Sequence, residues 1–271
     1  MCETINNMGS SKFFTLHSSL FTLVVVLMAA CSHIEEADRL IYVKPASVER
    51  CVLLEDFTGQ RCVNCPKATD EIKALQEQYG EENVVAVGIH SGKLGFYTTG
   101  SYVGLSTAEG DEYYDHWGFD YQPVGLIDRG GITNYTAWNT AVRSELQKTA
   151  PVKISLSANR DGSQLTISAE VMGVDGNTTG KLQLWITEDN VTAFQMLPDG
   201  SVDYNYVHQH VFRTSVNGTW GEDITVAEGN TVATKNYSLM IPADWKAGDL
   251  SLIGFVYNDQ GVQQVKKINI D

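Results

Sequence analysis

Two cysteines separated by two residues, Cys62-Val63-Asn64-Cys65, constrain this chain more than any other feature. Thiols at that spacing at the start of a helix can open and close a disulfide with little backbone movement. The flanking residues predict such a placement. Val52-Leu53-Leu54-Glu55-Asp56-Phe57 reads as a buried strand and Thr58 to Arg61 as a short polar turn. Beyond the second cysteine, Ala68, Ile72, Leu75 and Tyr79 recur at helical spacing. Redox chemistry and a static disulfide both fit the motif. Zinc would need a second ligand pair, and the sequence has no other CxxC or CxH, so no metal or other cofactor is expected.

The start of the chain indicates a compartment. Leu20-Phe21-Thr22-Leu23-Val24-Val25-Val26-Leu27-Met28 is an apolar run too short to span a bilayer comfortably, and it ends in Ala29-Ala30-Cys31-Ser32. It reads as a secretory leader. A cysteine after Ala-Ala, preceded by Leu27-Met28, resembles the lipobox of bacterial lipoproteins, with Met28 where Leu is commoner. The resemblance implies a leader over 1–30 and lipidation of Cys31, which anchors the chain to a membrane. Lys12 is the one basic residue before the run, so translation from Met8 would give a cleaner leader. Residues 31–45 form a tether. Its Glu35, Glu36 and Asp38 suit either a solvated linker or the surface-export signal of Bacteroidetes lipoproteins.

Removing residues 1–30 takes away one acid and one base, leaving the formal charge at −14. A chain this acidic, with no basic run, is not expected to bind nucleic acid. The remaining length, about 240 residues, suffices for two domains. Composition shifts near residue 150, where the boundary is placed.

Residues 46–150 read as one α/β unit. Asn83 to His90 is a continuous apolar run suited to a buried parallel strand. Ser91 to Trp117 is polar and rich in Gly and Tyr, with a short helix expected over Thr107–His116. Gln122 to Gly131 reads as a strand entered through Pro123 and left through a Gly-Gly turn, and Trp138 to Lys148 as a closing helix. This order, with Asp56 six positions before Cys62 and Pro123 before a late strand, resembles a thioredoxin fold. The departures are Arg61 where the family has Trp, Val124 where it has Thr, and the Ser91–Trp117 segment, which looks like an insertion.

The resemblance implies roles. Cys62 is the attacking thiol, its thiolate favoured by the helix N-terminus and by the charge of Arg61. Cys65 resolves the mixed disulfide. Asp56 relays a proton to or from Cys65, and Pro123, in the cis form, leaves backbone free to pair with substrate. From the residues alone, Asp56 reads equally as an ordinary strand-end acid, His90 as structural, and Cys51 as a buried small apolar residue.

Residues 151–271 read as all-β. Val152–Ala158 and Leu165–Val171 alternate strictly, and further runs follow at Lys181–Glu188, Asn236–Ile241, Leu250–Tyr257 and Val262–Ile270. Seven or so short strands suggest an immunoglobulin-like sandwich. In Val207-His208-Gln209-His210-Val211 two histidines at i and i+2 on a strand would share a face; with no third ligand evident, a solvated or hydrogen-bonded pair is expected.

Leader, α/β half and β half together resemble a family of Bacteroidetes outer-membrane lipoproteins named for an apparent mass of twenty-eight kilodaltons. Val52–Gly59, Cys62–Pro66 and Tyr206–Arg213 carry the resemblance. It implies a lipid-anchored protein of the cell envelope at the outer membrane, on its periplasmic or surface face. Two functions stand side by side. One is an envelope thiol–disulfide oxidoreductase acting on protein thiols or disulfides. The other is a surface binding or adhesion lipoprotein with a non-catalytic thioredoxin-like scaffold.

Overall fold

The computed structural model describes residues 49–229 and 232–270. The leader, the tether and Cys31 lie outside them.

The apolar run after Cys51 forms β1 (Val52–Thr58), and the helical pattern beyond the dithiol forms α1 (Cys65–Tyr79). β2 (Val84–His90) runs parallel to β1, with Val52 opposite Val84 and Thr58 opposite His90. After the Ser91–Ser106 segment come α2 (Ala108–Trp117), β3 (Val124–Ile127), β4 (Ile132–Thr133) and α3 (Trp138–Leu146). β3 is antiparallel to β1, pairing Phe57 with Val124. Thr107 caps α2 by accepting a hydrogen bond from Gly110 N–H, and Gly118 ends it in the left-handed conformation.

Ten strands follow. They are β5 (Val152–Asp161), β6 (Gln164–Gly173), β7 (Thr178–Glu188), β8 (Val191–Met196), β9 (Val202–His208), β10 (Val211–Ser215), β11 (Glu222–Val226), β12 (Val232–Met240), β13 (Leu250–Asn258) and β14 (Gly261–Asn269). β8, β11, most of β9 and β10 beyond Val211 are strands that the sequence pattern did not announce.

Residue 150 marks a change in element type, but the packing crosses it. The main sheet runs β14-β13-β7-β10-β2-β1-β3-β4, joined where β10 lies parallel to β2 at Val211 and Gly88. One apolar cluster unites Leu53, Phe57, Val87 and Tyr113 with Trp185, Phe212, Phe255 and Val265. The indole N–H of Trp185 donates to the Tyr113 hydroxyl at 3.0 Å. The main sheet and this cluster thus continue across the boundary placed at residue 150. A mainly β structure with three α-helices among the described residues shares one core across residue 150 because each half has apolar side chains on the face it turns to the other. Burying each such side chain contributes roughly 1.5–3 kcal/mol.

On the opposite face of β1–β3, Ala68, Ile72 and Leu75 of α1 and Trp138 and Val142 of α3 cover Val52, Leu54 and Ala86. In the second half, a three-stranded sheet β12-β6-β5 packs through Ile154, Leu165 and Ile167 on Leu184, Leu252 and Val256 of the main sheet. β8 and β9 pair only with each other and hydrogen-bond as a ladder to neither larger sheet.

Candidate dithiol site

Cys62 and Cys65 are joined in a disulfide with Cα atoms 5.4 Å apart. β1 delivers the motif through Thr58 and the turn Gly59–Arg61. Cys62 N–H donates to Gly59 O at 3.0 Å, Cys65 N–H donates to Cys62 O at 3.2 Å, and α1 begins at Cys65. Pro66 suits the first helical turn, where its missing N–H removes no helical bond. The Gln122–Pro123 peptide is cis, and Pro123 precedes the residue that pairs with Phe57. Pro123 therefore enters the sheet at the end from which the dithiol leaves. The Gln122 side chain donates to Thr58 O at 2.7 Å and to Ser91 O at 3.0 Å, tying these strand ends together.

Both sulfur-bearing residues are 2 % exposed. Two segments pack on the turn that leads into them. One is the stretch after β2: Arg61 N–H donates to Leu94 O at 3.0 Å, and the guanidinium of Arg61 stands 4.9 Å over the Phe96 ring. Arg61, expected beside Cys62 as a charge, is thus engaged with an aromatic ring of the insertion. The other is the β8–β9 hairpin. Met196 N–H donates to Gln60 O at 2.9 Å, and the Gln195 amide donates to Cys62 O at 2.9 Å and Gly59 O at 3.3 Å. Gln60, fully buried, donates to Val103 O and Phe194 O and accepts from Leu105 N–H, knitting turn, insertion and hairpin. Neither glutamine stood out in the sequence, because no local pattern distinguishes a buried connecting glutamine from a solvated one.

Gly59 is required here for space. A Cβ would lie 2.3 Å from Leu94 O. Gly59→Ala is expected to push the turn off the insertion and cost about 1–3 kcal/mol, read as a lower urea midpoint at unchanged slope.

A cavity of about 340 Å³ adjoins the dithiol on the Cys65 side, lined among others by Asp56, Thr69, His90, Tyr206, His208 and His210. Gly88 faces it beside Asp56 and helps leave the space. Asp56 is 2 % exposed, its Oδ1 has no hydrogen-bond partner, and burial pushes its carboxyl up to about 8. His90 and His208 meet edge to face, with ring centroids 5.1 Å apart. Both nitrogens of His90 and Nε2 of His208 are buried without partners. Burial, then the neighbouring His208, lowers the His90 imidazole well below its usual range, and burial lowers His208 to about 4. Both rings are therefore neutral at pH 7. His90, read from sequence as structural, thus lines the same cavity as the dithiol.

His208 and His210 do not both lie on one strand, as the reading of a solvated or hydrogen-bonded i, i+2 pair requires. The strand ends at His208, and His210 takes a left-handed conformation at φ 56°, which breaks the alternation. His208 is buried, whereas the His210 ring lies 3.0 Å from Asp189. Burial opposes ionisation of Asp189, but His210 and Lys267 hold its carboxyl well below the usual range. Cys51 is a free thiol, half-buried, raised by burial. Among the described residues no group of three His, Cys, Asp or Glu side chains is arranged to hold a metal, and no helix is long and apolar enough to cross a membrane.

Comparison with known proteins gives a fold and a family. The structure of HBP35 of Porphyromonas gingivalis superposes with a TM-score of 0.67 at 18 % identity, covering 83 % of this chain and 76 % of that one. A domain of the outer membrane lipoprotein Omp28 from the same organism matches at 23 % identity and a TM-score of 0.34, covering 45 % of this chain and 89 % of that one. No curated protein matches the sequence. The family model described as outer membrane protein Omp28 matches residues 110–271, from within α2 to the end and therefore beyond the dithiol. The chain belongs to the Omp28 family of outer membrane proteins.

Proposed function

We propose that this outer-membrane protein is a thiol–disulfide oxidoreductase. Lipid on Cys31 anchors it, residues 46–150 form its thioredoxin-like unit, and residues 151–271 form an immunoglobulin-like sandwich. Asp56 carries the reading. A carboxyl buried without a partner for one oxygen destabilises the fold, and a mere scaffold has no need of it. With its proton affinity raised to about 8, Asp56 holds a proton at neutral pH and shares a cavity with Cys65.

The chemistry follows from those positions. A substrate thiolate attacks Cys62 Sγ, the Cys62–Cys65 bond breaks, and Cys65 leaves as a thiolate that takes the proton of Asp56. A second substrate thiolate attacks the substrate sulfur of the mixed disulfide and expels Cys62. The substrate dithiol loses two electrons and the Cys62–Cys65 pair gains them. The reverse sequence reduces a substrate disulfide, with Cys62 as nucleophile and Asp56 as proton acceptor. Pro123, lacking an N–H, leaves the adjoining backbone available to a substrate chain.

One observation favours the second reading, a binding lipoprotein with a static disulfide: Cys62 is only 2 % exposed. The two are separated by the reduction potential of the pair and by Cys65→Ser. A potential above about −300 mV, with mixed disulfides trapped on Cys62 in the variant, is the expected outcome. A potential well below about −300 mV with nothing trapped supports the static bridge and overturns the enzyme reading.

A further inference from the structure

The cover over Cys62 is built unlike the rest of the fold. β8 and β9 form their own two-stranded sheet, flanked at each end by a non-glycine residue in the left-handed conformation, Asn190 at φ 57° and His210 at φ 56°. These roots are tied to the main body. Asp189 N–H donates to Asp249 O at 2.9 Å, Lys246 Nζ donates to Asn190 O at 2.8 Å, and Gly88 N–H donates to His210 O at 2.8 Å. Val191 and Ala193 pack on Leu105 and Val211 just beyond them. Farther out, the hairpin rests on the dithiol turn by hydrogen bonds from Met196, from Gln195, and from Gln60 to Phe194. The strand pairing shifts between Ala193 and Gln195, where Phe194 stands opposite two residues of β9, Tyr204 and Asn205. Such bulges re-aim side chains beside functional sites. Here Phe194 packs on Phe96 at 4.9 Å while Gln195 turns its amide onto the Cys62 carbonyl.

We infer that the β8–β9 hairpin is a gate over the dithiol, hinged at Asn190 and His210 and latched by Gln195 on the carbonyl of Cys62. The inference rests on the redox reading above, since only a reacting thiol needs an opening cover. It also reconciles that reading with the burial of Cys62. A segment with its own ladder, firm roots and a polar latch can swing away without breaking either larger sheet. Gln195 is then a positioning residue: it holds the turn that presents Cys62 and takes no part in bond exchange.

The test uses the full chain reduced with dithiothreitol, alkylated with iodoacetamide and mapped by mass spectrometry at Cys62. Gln195→Ala is expected to raise the alkylation rate of Cys62 about tenfold, the size of one lost net hydrogen bond, while Cys51 reacts as before. Gln195→Glu, which keeps the length but offers no amide donor, should match the alanine variant. Native-state hydrogen exchange of the wild type covers the case of a misfolded variant. The amides of Gln195 and Met196 should exchange by an opening that leaves β7 and β13 protected. Equal Cys62 rates in wild type and variants, or hairpin amides that exchange only with global unfolding, overturn the gate. A working gate in a chain that traps no partner through Cys65→Ser leaves the hairpin inference standing and removes the redox reading alone.

Discussion

Asp56→Asn should raise the melting temperature of the oxidised protein by roughly 10 °C at pH 8 and by almost nothing at pH 4. The folded carboxyl takes up its proton near pH 8, whereas an unfolded aspartate does so near 3.9. The folded state therefore holds a proton that the unfolded state has released between these values. Wild-type stability falls as pH rises from about 4 to about 8 and is flat above. Asparagine has nearly the same shape and no charge, so it removes that loss, on the order of 5 kcal/mol at the upper end. Calorimetry at pH 4, 6 and 8 decides the matter. An equal gain at all three would mean that Asp56 titrates as an ordinary surface acid. The same variant should slow opening of the disulfide by dithiothreitol at neutral pH, because Cys65 loses its proton donor. A gain in stability accompanied by a loss in rate is the signature of a group retained for chemistry.

Arg129→Met should lower stability by about 3–5 kcal/mol, the largest loss expected from a single substitution away from the dithiol. Arg129 and Glu55 form a buried fork: Nη2 to Oε1 at 3.1 Å and Nε to Oε2 at 3.2 Å. The guanidinium also stands 4.3 Å from the Tyr257 ring centroid and 4.9 Å from that of Phe255. Removing it leaves the Glu55 carboxylate, fully buried, with no counter-charge. The matched change Glu55→Gln in the same chain should recover most of the loss. If the double variant is as unstable as the single one, the aromatic contacts of Arg129 matter more than its charge. Unfolding in urea measures both.

These two sites also show what local sequence can reveal. Val52–Phe57, Asn83–His90 and the helix after Cys62 were legible because apolar residues repeat at the strand or helix period over a full element. Pro123 and the dithiol were legible as motifs. The Glu55–Arg129 pair was not, since a charged residue inside an apolar strand has no visible partner 74 residues away. The hairpin was missed for a related reason. Val191–Met196 is six residues long, half of them facing away from its base, and its buried polar residue Gln195 contacts residues 133 and 136 positions earlier. The histidine pair misled because strict alternation was carried two residues past the end of β9, to His210. The join between β10 and β2 was not legible because it is a single short pairing between residues far apart in sequence.

That join has a consequence for how the chain is made. β2 reaches its neighbour on one side only when Val211 arrives, so a nascent chain ending at residue 150 carries an uncovered strand edge and half of an apolar core. Such an edge invites pairing with another chain. The order of synthesis and the order of assembly therefore diverge. The first half is complete in sequence long before it can close, and contacts over such separations form slowly. Until then the dithiol turn also lacks the hairpin that covers it, so Cys62 passes through biogenesis unshielded and becomes protected only as β8 and β9 dock.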